Sequence, residues 1–178
     1  DLLAEGQLRA GFKISAGARS LYSRQVNAIG QYETTPTRKF VVQSLMIPME
    51  PRAHQPLLHA QSFALVAWNM NRVDPASSPV DTGVYHAIAR LFWGSEEAGS
   101  IATYAGKPLA AVLIQDRVYI HDCLGLCNFT WPITYSFATP DHLGDPRLEG
   151  RLFSAVTGLP EDRIWEYGKR IVDLQRAI

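Results

Sequence analysis

The sequence predicts a mostly α, irregular helical fold. Apolar residues recur at three- and four-residue steps along most of the second half of the chain, and Gly, Pro and Asp punctuate those runs where helices begin and end. No internal repeat, heptad run or low-complexity tract points to a solenoid, a coiled coil or a disordered tail. At 178 residues the chain is long enough for one sizeable core.

The opening "DLLAEGQLRAGFKIS" reads as a helix already under way, with Leu2, Leu3, Leu8 and Phe12 near one stripe. The Gly-, Thr- and polar-rich stretch up to Phe40 reads as a short helical turn and then irregular backbone, a connector or a surface over a ligand. "VVQSLMIP" has the look of a buried strand, and "MEPRAHQP" follows as a turn because Pro51 and Pro56 remove amide donors. "PLLHAQSFALVAWNMNRV" is a helix whose stripe is Leu57, Leu58, Phe63, Ala64, Val66 and Ala67, closed by the turn chemistry of "DPASSPVD". Another helix starts near Thr82 and carries Tyr85, Ile88, Ala89 and Phe92. "GKPLAAVLIQDRVYIHDCLGLC" is the central helix, with Leu109, Val112, Leu113, Val118 and Leu124 on its stripe and His121, Asp122 and Cys123 toward its C-terminal end. Near the C-terminus Asp145 is an expected N-cap with Pro146 at the first helical position, and Gly158 is a stop. The last helix opens at Pro160, Glu161 and Asp162 and turns Ile164, Ile171 and Leu174 to the core.

Charge excludes several function classes. Lys plus Arg and Asp plus Glu both number 17, with no basic block to hold nucleic acid. No run approaches the roughly 20 apolar residues that span a bilayer, and no signal segment opens the chain. Two cysteines suit a reduced, cytoplasmic compartment better than a secreted disulfide scaffold. Phosphate-binding glycine loops, H-E-x-x-H, G-x-S-x-G and deaminase motifs are all missing.

The chemistry concentrates in "HDCLGLCNFTW", residues 121–131, which holds both cysteines. On one helix Cys123 and Cys127 would share a face one turn apart. A zinc site with His121 as third ligand lacks a fourth, and a redox dithiol lacks its usual C-x-x-C setting. Buried, inert core thiols are the remaining reading from the residues alone.

The order of features around Asp122, Cys123, Leu124, Gly125, Leu126 and Cys127 resembles the D-x-x-G-L-C pterin motif of the tungsten-containing aldehyde ferredoxin oxidoreductase family, with an aromatic following at Phe129. "LLAEGQLRAGFKI", "PMEPRAHQPLLHA", "LEGRLFSAVTG" and "EYGKRIVDLQRAI" resemble other segments of that family in its order, so the likeness spans most of the chain. The resemblance implies that Asp122 binds the amino-pyrimidine edge of one metallopterin, a partner whose N–H groups suit two carboxylate oxygens. It implies that Cys127 is the fourth ligand of a [4Fe–4S] cluster, that Cys123 falls at a variable position, and that the main chain of Leu124 and Leu126 contributes; from the general habit of free thiols Cys123 reads as a small buried hydrophobe. Gly125 then serves either a close approach to the cofactor or close helix packing.

The resemblance further implies residues 1–45 as the end of a preceding helical domain with its connector, and 46–178 as a C-terminal helical domain carrying the motif. The family's C-x-x-C-x-x-x-C and companion pterin motif are missing here. The expectation is therefore the C-terminal part of a larger metallopterin oxidoreductase, or one piece of a split enzyme, unable alone to complete either cofactor. Its partners would be the N-terminal remainder or a complementary subunit, ferredoxin or another electron carrier, and a small aldehyde or acyl substrate, in an anaerobic cytoplasm, with no nucleic acid and no membrane.

Around this motif, Arg52 and His54 fall near the family's active-site turn, where an Arg can clamp a pterin phosphate. His59 and His86 are candidates for proton transfer. "GKR" at 168–170 reads as a solvated face, and Trp68, Trp93, Trp131 and Trp165 as core anchors. The competing reading is a metal-free helical docking module with structural cysteines.

Overall fold

A computed structural model describes residues 41–46, 55–128 and 130–177 of the chain. The expected opening helix, the connector and the turn bearing Arg52 and His54 lie outside these residues, as does Phe129. The described elements are α1 (Val41–Met46), α2 (Gln55–Val73), α3 (Thr82–Trp93), a 3-10 turn (Glu96–Gly99), α4 (Lys107–Leu124), α5 (Leu148–Thr157) and α6 (Arg163–Ala177). Strand-type pairing among the described residues is limited to one antiparallel bridge between Tyr135 and Leu143. The mostly α expectation holds, with one correction: "VVQSLM" is helical, not a strand. A short apolar run cannot separate the two by periodicity, and here Val42 and Met46, one helical turn apart, are buried together.

Helix α4 is the hub. It packs against α1, α2, α3, the 3-10 turn and α6. Its core-facing stripe is Ala110, Ala111, Ile114 and Val118, whereas Leu109, Val112, Leu113 and Leu124, expected inside, are exposed. Crowding explains the inversion: a helix with neighbours on several sides needs small residues where backbones approach, so alanines take the inner positions and the large leucines face outward. The same rotation appears in α2, where Gln61, Ala64 and Leu65 are buried but Phe63 and Val66 are exposed.

Helices α4 and α6 cross closely at Gly168. A Cβ placed on Gly168 would lie 2.9 Å from Ile120 Cδ1 and 3.0 Å from the Asp116 carbonyl oxygen. Gly168 is thus a buried packing residue and not part of a solvated "GKR" face, although Lys169 and Arg170 are exposed. Ile164 and Val172 flank it in the core, and Leu174, expected inside, is 63% exposed. Burial raises the Asp116 carboxyl above its ordinary range; Lys169 counters this and Asp173 adds to it.

Local signals fix the ends. Asp81 caps α3 by accepting the Val84 N–H at 2.8 Å, and Gly94 closes it at φ +88°. Inside that helix Tyr85 stacks on Trp68 at 4.8 Å and donates its hydroxyl to the Gly99 carbonyl at 3.0 Å. Burial pushes its phenol up. Lys107, at the head of α4, is buried with its ammonium donating to the carbonyls of Glu97, Ala98 and Ser100, which ties off the 3-10 turn. Gly158 ends α5 as expected. Asp145 is not its N-cap: the carboxylate receives the Arg147 N–H at 2.8 Å in a turn that precedes the helix.

Because the Gly168 site is filled by a side chain and by backbone, Gly168→Val is expected to destabilise the protein by about 1–3 kcal/mol, the usual cost of overpacking. Equilibrium urea unfolding checks it, and an unchanged midpoint would contradict the close crossing.

Candidate cofactor site

The end of α4 builds the turn. The Leu126 N–H donates to the His121 carbonyl at 2.8 Å and the Gly125 N–H to the Asp122 carbonyl at 3.3 Å, the paired bonds of a Schellman stop, with Gly125 at φ +69°. No atom of the described residues lies within 4 Å of where a Gly125 Cβ would stand. Among them, close helix packing is therefore not its reason; the left-handed backbone is.

The chain then folds at once into a second turn. The Cys127 carbonyl accepts the N–H groups of Thr130 and Trp131, both at 3.0 Å, and the Thr130 hydroxyl at 3.1 Å. Asp122 and Cys127 consequently flank the Gly125 turn, and both are exposed. Two expectations are corrected here. Neither Cys123 nor Cys127 is a core thiol, since both are free and exposed, and they do not share a helix face, because α4 stops at Leu124 before Cys127 is reached.

Beneath the turn lies a buried polar network. His121 is fully buried; its Nδ1 meets Asn128 Oδ1 at 3.0 Å and its Nε2 meets Glu149 Oε1 at 3.0 Å. Both ring nitrogens are occupied, so His121 is no candidate zinc ligand. Asn128 in turn donates from Nδ2 to Asp122 Oδ1 at 3.2 Å, which orients its amide with the oxygen toward the imidazole and requires a hydrogen on Nδ1.

Glu149, 1% exposed in the first turn of α5, also lies 3.1 Å from Arg117 Nε. That N–H is not aimed along the contact, so the pair is a charge contact more than a directed hydrogen bond. Arg117 Nη2 donates to the Pro146 carbonyl at 2.8 Å, and its guanidinium sits between the rings of Phe92 and Trp165, 5.0 and 4.8 Å from their centroids. Burial lowers its pKa and the Glu149 carboxylate opposes that shift. The Trp131 ring stands edge-on to His121 at 6.1 Å.

Arg117, Asn128 and Glu149 were not among the sequence-predicted site residues. A signal existed: Arg117 and His121 continue the phase of the buried stripe Ala110, Ile114 and Val118, which marks them as inward-facing.

The other predicted residues lie apart from this network. His86 is on α3, its Nδ1 2.8 Å from Glu96 Oε1, in a surface cluster with Arg90. His59 falls in α2 with its side chain outside the described set, and Arg52 lies outside the described residues altogether. No group of three or more His, Cys, Asp and Glu side chains among the described residues could hold a metal ion. A [4Fe–4S] cluster needs four thiolates, so Cys127 fits as one corner of such a site and not as a complete one. No helix among the described residues is long and apolar enough to cross a membrane.

Compared with known families, residues 1–178 match the one described as aldehyde ferredoxin oxidoreductase, domains 2 & 3. No solved structure matches the chain.

Removing the Glu149 carboxylate leaves a buried arginine and a buried histidine without their anion. Glu149→Ala and Glu149→Gln are each expected to cost about 3–5 kcal/mol in equilibrium unfolding, since neither side chain carries the charge. Equal, small losses in both variants would show that the ion cluster does not hold α5.

Proposed function

Because the chain belongs to the aldehyde ferredoxin oxidoreductase family, we propose that it forms the helical, cofactor-facing portion of a tungsten or molybdenum bis-pterin oxidoreductase. The reaction in this reading is oxidation of aldehydes to carboxylic acids, or reduction of an acyl substrate, with electrons exchanged with ferredoxin through a [4Fe–4S] cluster. The family is one of tungsten pterin enzymes. The observation that carries the reading is the Gly125 turn, which leaves an acid and a thiol exposed on either side of a glycine that no other described residue crowds.

When bound, the metallopterin supplies the two-electron chemistry and the cluster divides it into single-electron steps. The chain's own residues bind and orient. Asp122 offers acceptor oxygens to the N–H edge of a pterin ring. Cys127 supplies one thiolate to the cluster; the other ligands come from the N-terminal remainder of the enzyme or a complementary subunit. The Gly125 and Leu126 amides are already committed to the helix end. What Leu124, Gly125 and Leu126 present to a cofactor is therefore carbonyl oxygen and apolar surface. Oxidising an aldehyde takes one oxygen from water and releases two electrons and two protons, so a proton acceptor is needed. His59, and His86 held by Glu96, are the candidates for that role, and Arg52 for a pterin phosphate.

The docking-module reading relies on structural cysteines, and the exposure of both thiols removes that support. Substitution separates the two cysteines. In the complete enzyme, purified without oxygen, Cys127→Ser is expected to lose most of its cluster iron while Cys123→Ser keeps it, both measured as iron per polypeptide. Full iron in Cys127→Ser would contradict the assignment.

A further inference from the structure

We infer that Asn128 is a positioning residue for the cofactor-binding carboxylate: its amide ties Asp122 to the buried His121–Glu149–Arg117 cluster and so fixes where Asp122 points. The inference rests on the functional reading above and adds to it a residue outside the D-x-x-G-L-C motif.

An exposed aspartate at a helix end ordinarily samples several rotamers. Here its Oδ1 receives a hydrogen bond at 3.2 Å from an amide whose other end is itself held, 3.0 Å from His121 Nδ1. His121 is held on its second nitrogen by Glu149, and Glu149 lies against Arg117, which is clasped between Phe92 of α3 and Trp165 of α6. Burial rises from the exposed Asp122 to the half-buried Asn128 and then to His121, Glu149 and Arg117, which are all buried among packed helices. A cofactor ligand supported in this way keeps its geometry before the cofactor arrives, which reduces the ordering cost of binding.

The chemistry at position 128 is specific. The side chain must accept from the imidazole and donate to a carboxylate, and a primary amide does both at this length. An aspartate there would keep the first contact and turn the second into a carboxylate facing a carboxylate. Alanine would make neither. Cys127 is held separately, through the carbonyl that Thr130 and Trp131 bind, so its role does not depend on the Asn128 amide.

The test uses the complete enzyme purified without oxygen, with tungsten and molybdenum, iron, thermal unfolding and the W(V) or Mo(V) electron paramagnetic resonance signal measured on each variant. Asn128→Asp is expected to keep the wild-type melting behaviour and the wild-type iron content. Its affinity for the metallopterin is expected to fall about 10- to 100-fold, the range seen when an outer partner of a ligand is lost, and its resonance signal to change. Asn128→Ala should lose tungsten or molybdenum in the same direction. Wild-type metal content and an unchanged signal in Asn128→Asp would overturn the inference, as would metal losses in both variants that only track the fraction of folded protein. A wild-type enzyme with neither tungsten or molybdenum nor iron would instead overturn the functional reading on which it rests.

Discussion

One buried carboxylate organises the chemistry of this domain. Glu149 and Gly150 are the buried residues of α5; Leu152 and Val156 are exposed, while Leu148 and Phe153 are half-buried, Phe153 with its ring 5.7 Å from that of Tyr167. Helix α5 is therefore anchored by an ion cluster as well as by apolar contact, and the ion cluster is costly to assemble, since each ion removed from water forfeits several kcal/mol of solvation. The structure offsets this with close partners on every side: Arg117 and His121 on the carboxylate, the Pro146 carbonyl on the guanidinium, and two aromatic rings enclosing it. Contributions from α3, α4, α5 and α6 meet at this point. Its polarity is what carries order from the packed interior to the surface, because His121 belongs both to the cluster and to the turn above.

That turn exists because α4 stops where it does. Gly125 adopts a left-handed conformation that no other described residue crowds, and the two amides that close the helix are used internally. An abrupt stop sets Asp122 on the last turn of the helix and Cys127 beyond it, rather than stacking Cys123 and Cys127 on a single face. The Asp122-to-Cys127 spacing is thus a helix end followed by a tight turn, an arrangement that presents two different ligand types without burying either. An acid and a thiol left exposed above a buried polar network fit a surface completed by something outside these residues.

Much of this was legible in the sequence. The sequence placed the start of α3 near Thr82 and the stop of α5 at Gly158, and set His121, Asp122 and Cys123 toward the C-terminal end of α4. The stripe expected on α3, Tyr85, Ile88, Ala89 and Phe92, is buried, and what failed was part of the inward side of α2, α4 and α6. Leu109, Val112 and Leu113 outweigh Ala110 and Ala111 on any hydrophobic scale, yet the crowded hub selects for small side chains. Leu174 misled in the same way. Arg117 and Glu149 were not singled out because nothing local shows that they meet across 32 positions of sequence. Cys123 and Cys127 were read as buried from the general habit of free thiols, which a helix end at the surface does not follow. The strand expected at residues 41–48 was too short and too uniformly apolar for its period to be decided.

The central claim is that the Asp122–Cys127 turn faces a metallopterin and a cluster. Its most direct test is a crystal structure of the complete enzyme, grown without oxygen, with anomalous diffraction recorded at the iron and tungsten edges. The account predicts an iron peak bonded to Cys127 Sγ and a pterin ring hydrogen-bonded to Asp122. Iron and tungsten located elsewhere, with the Cys127 thiol unligated, would contradict it.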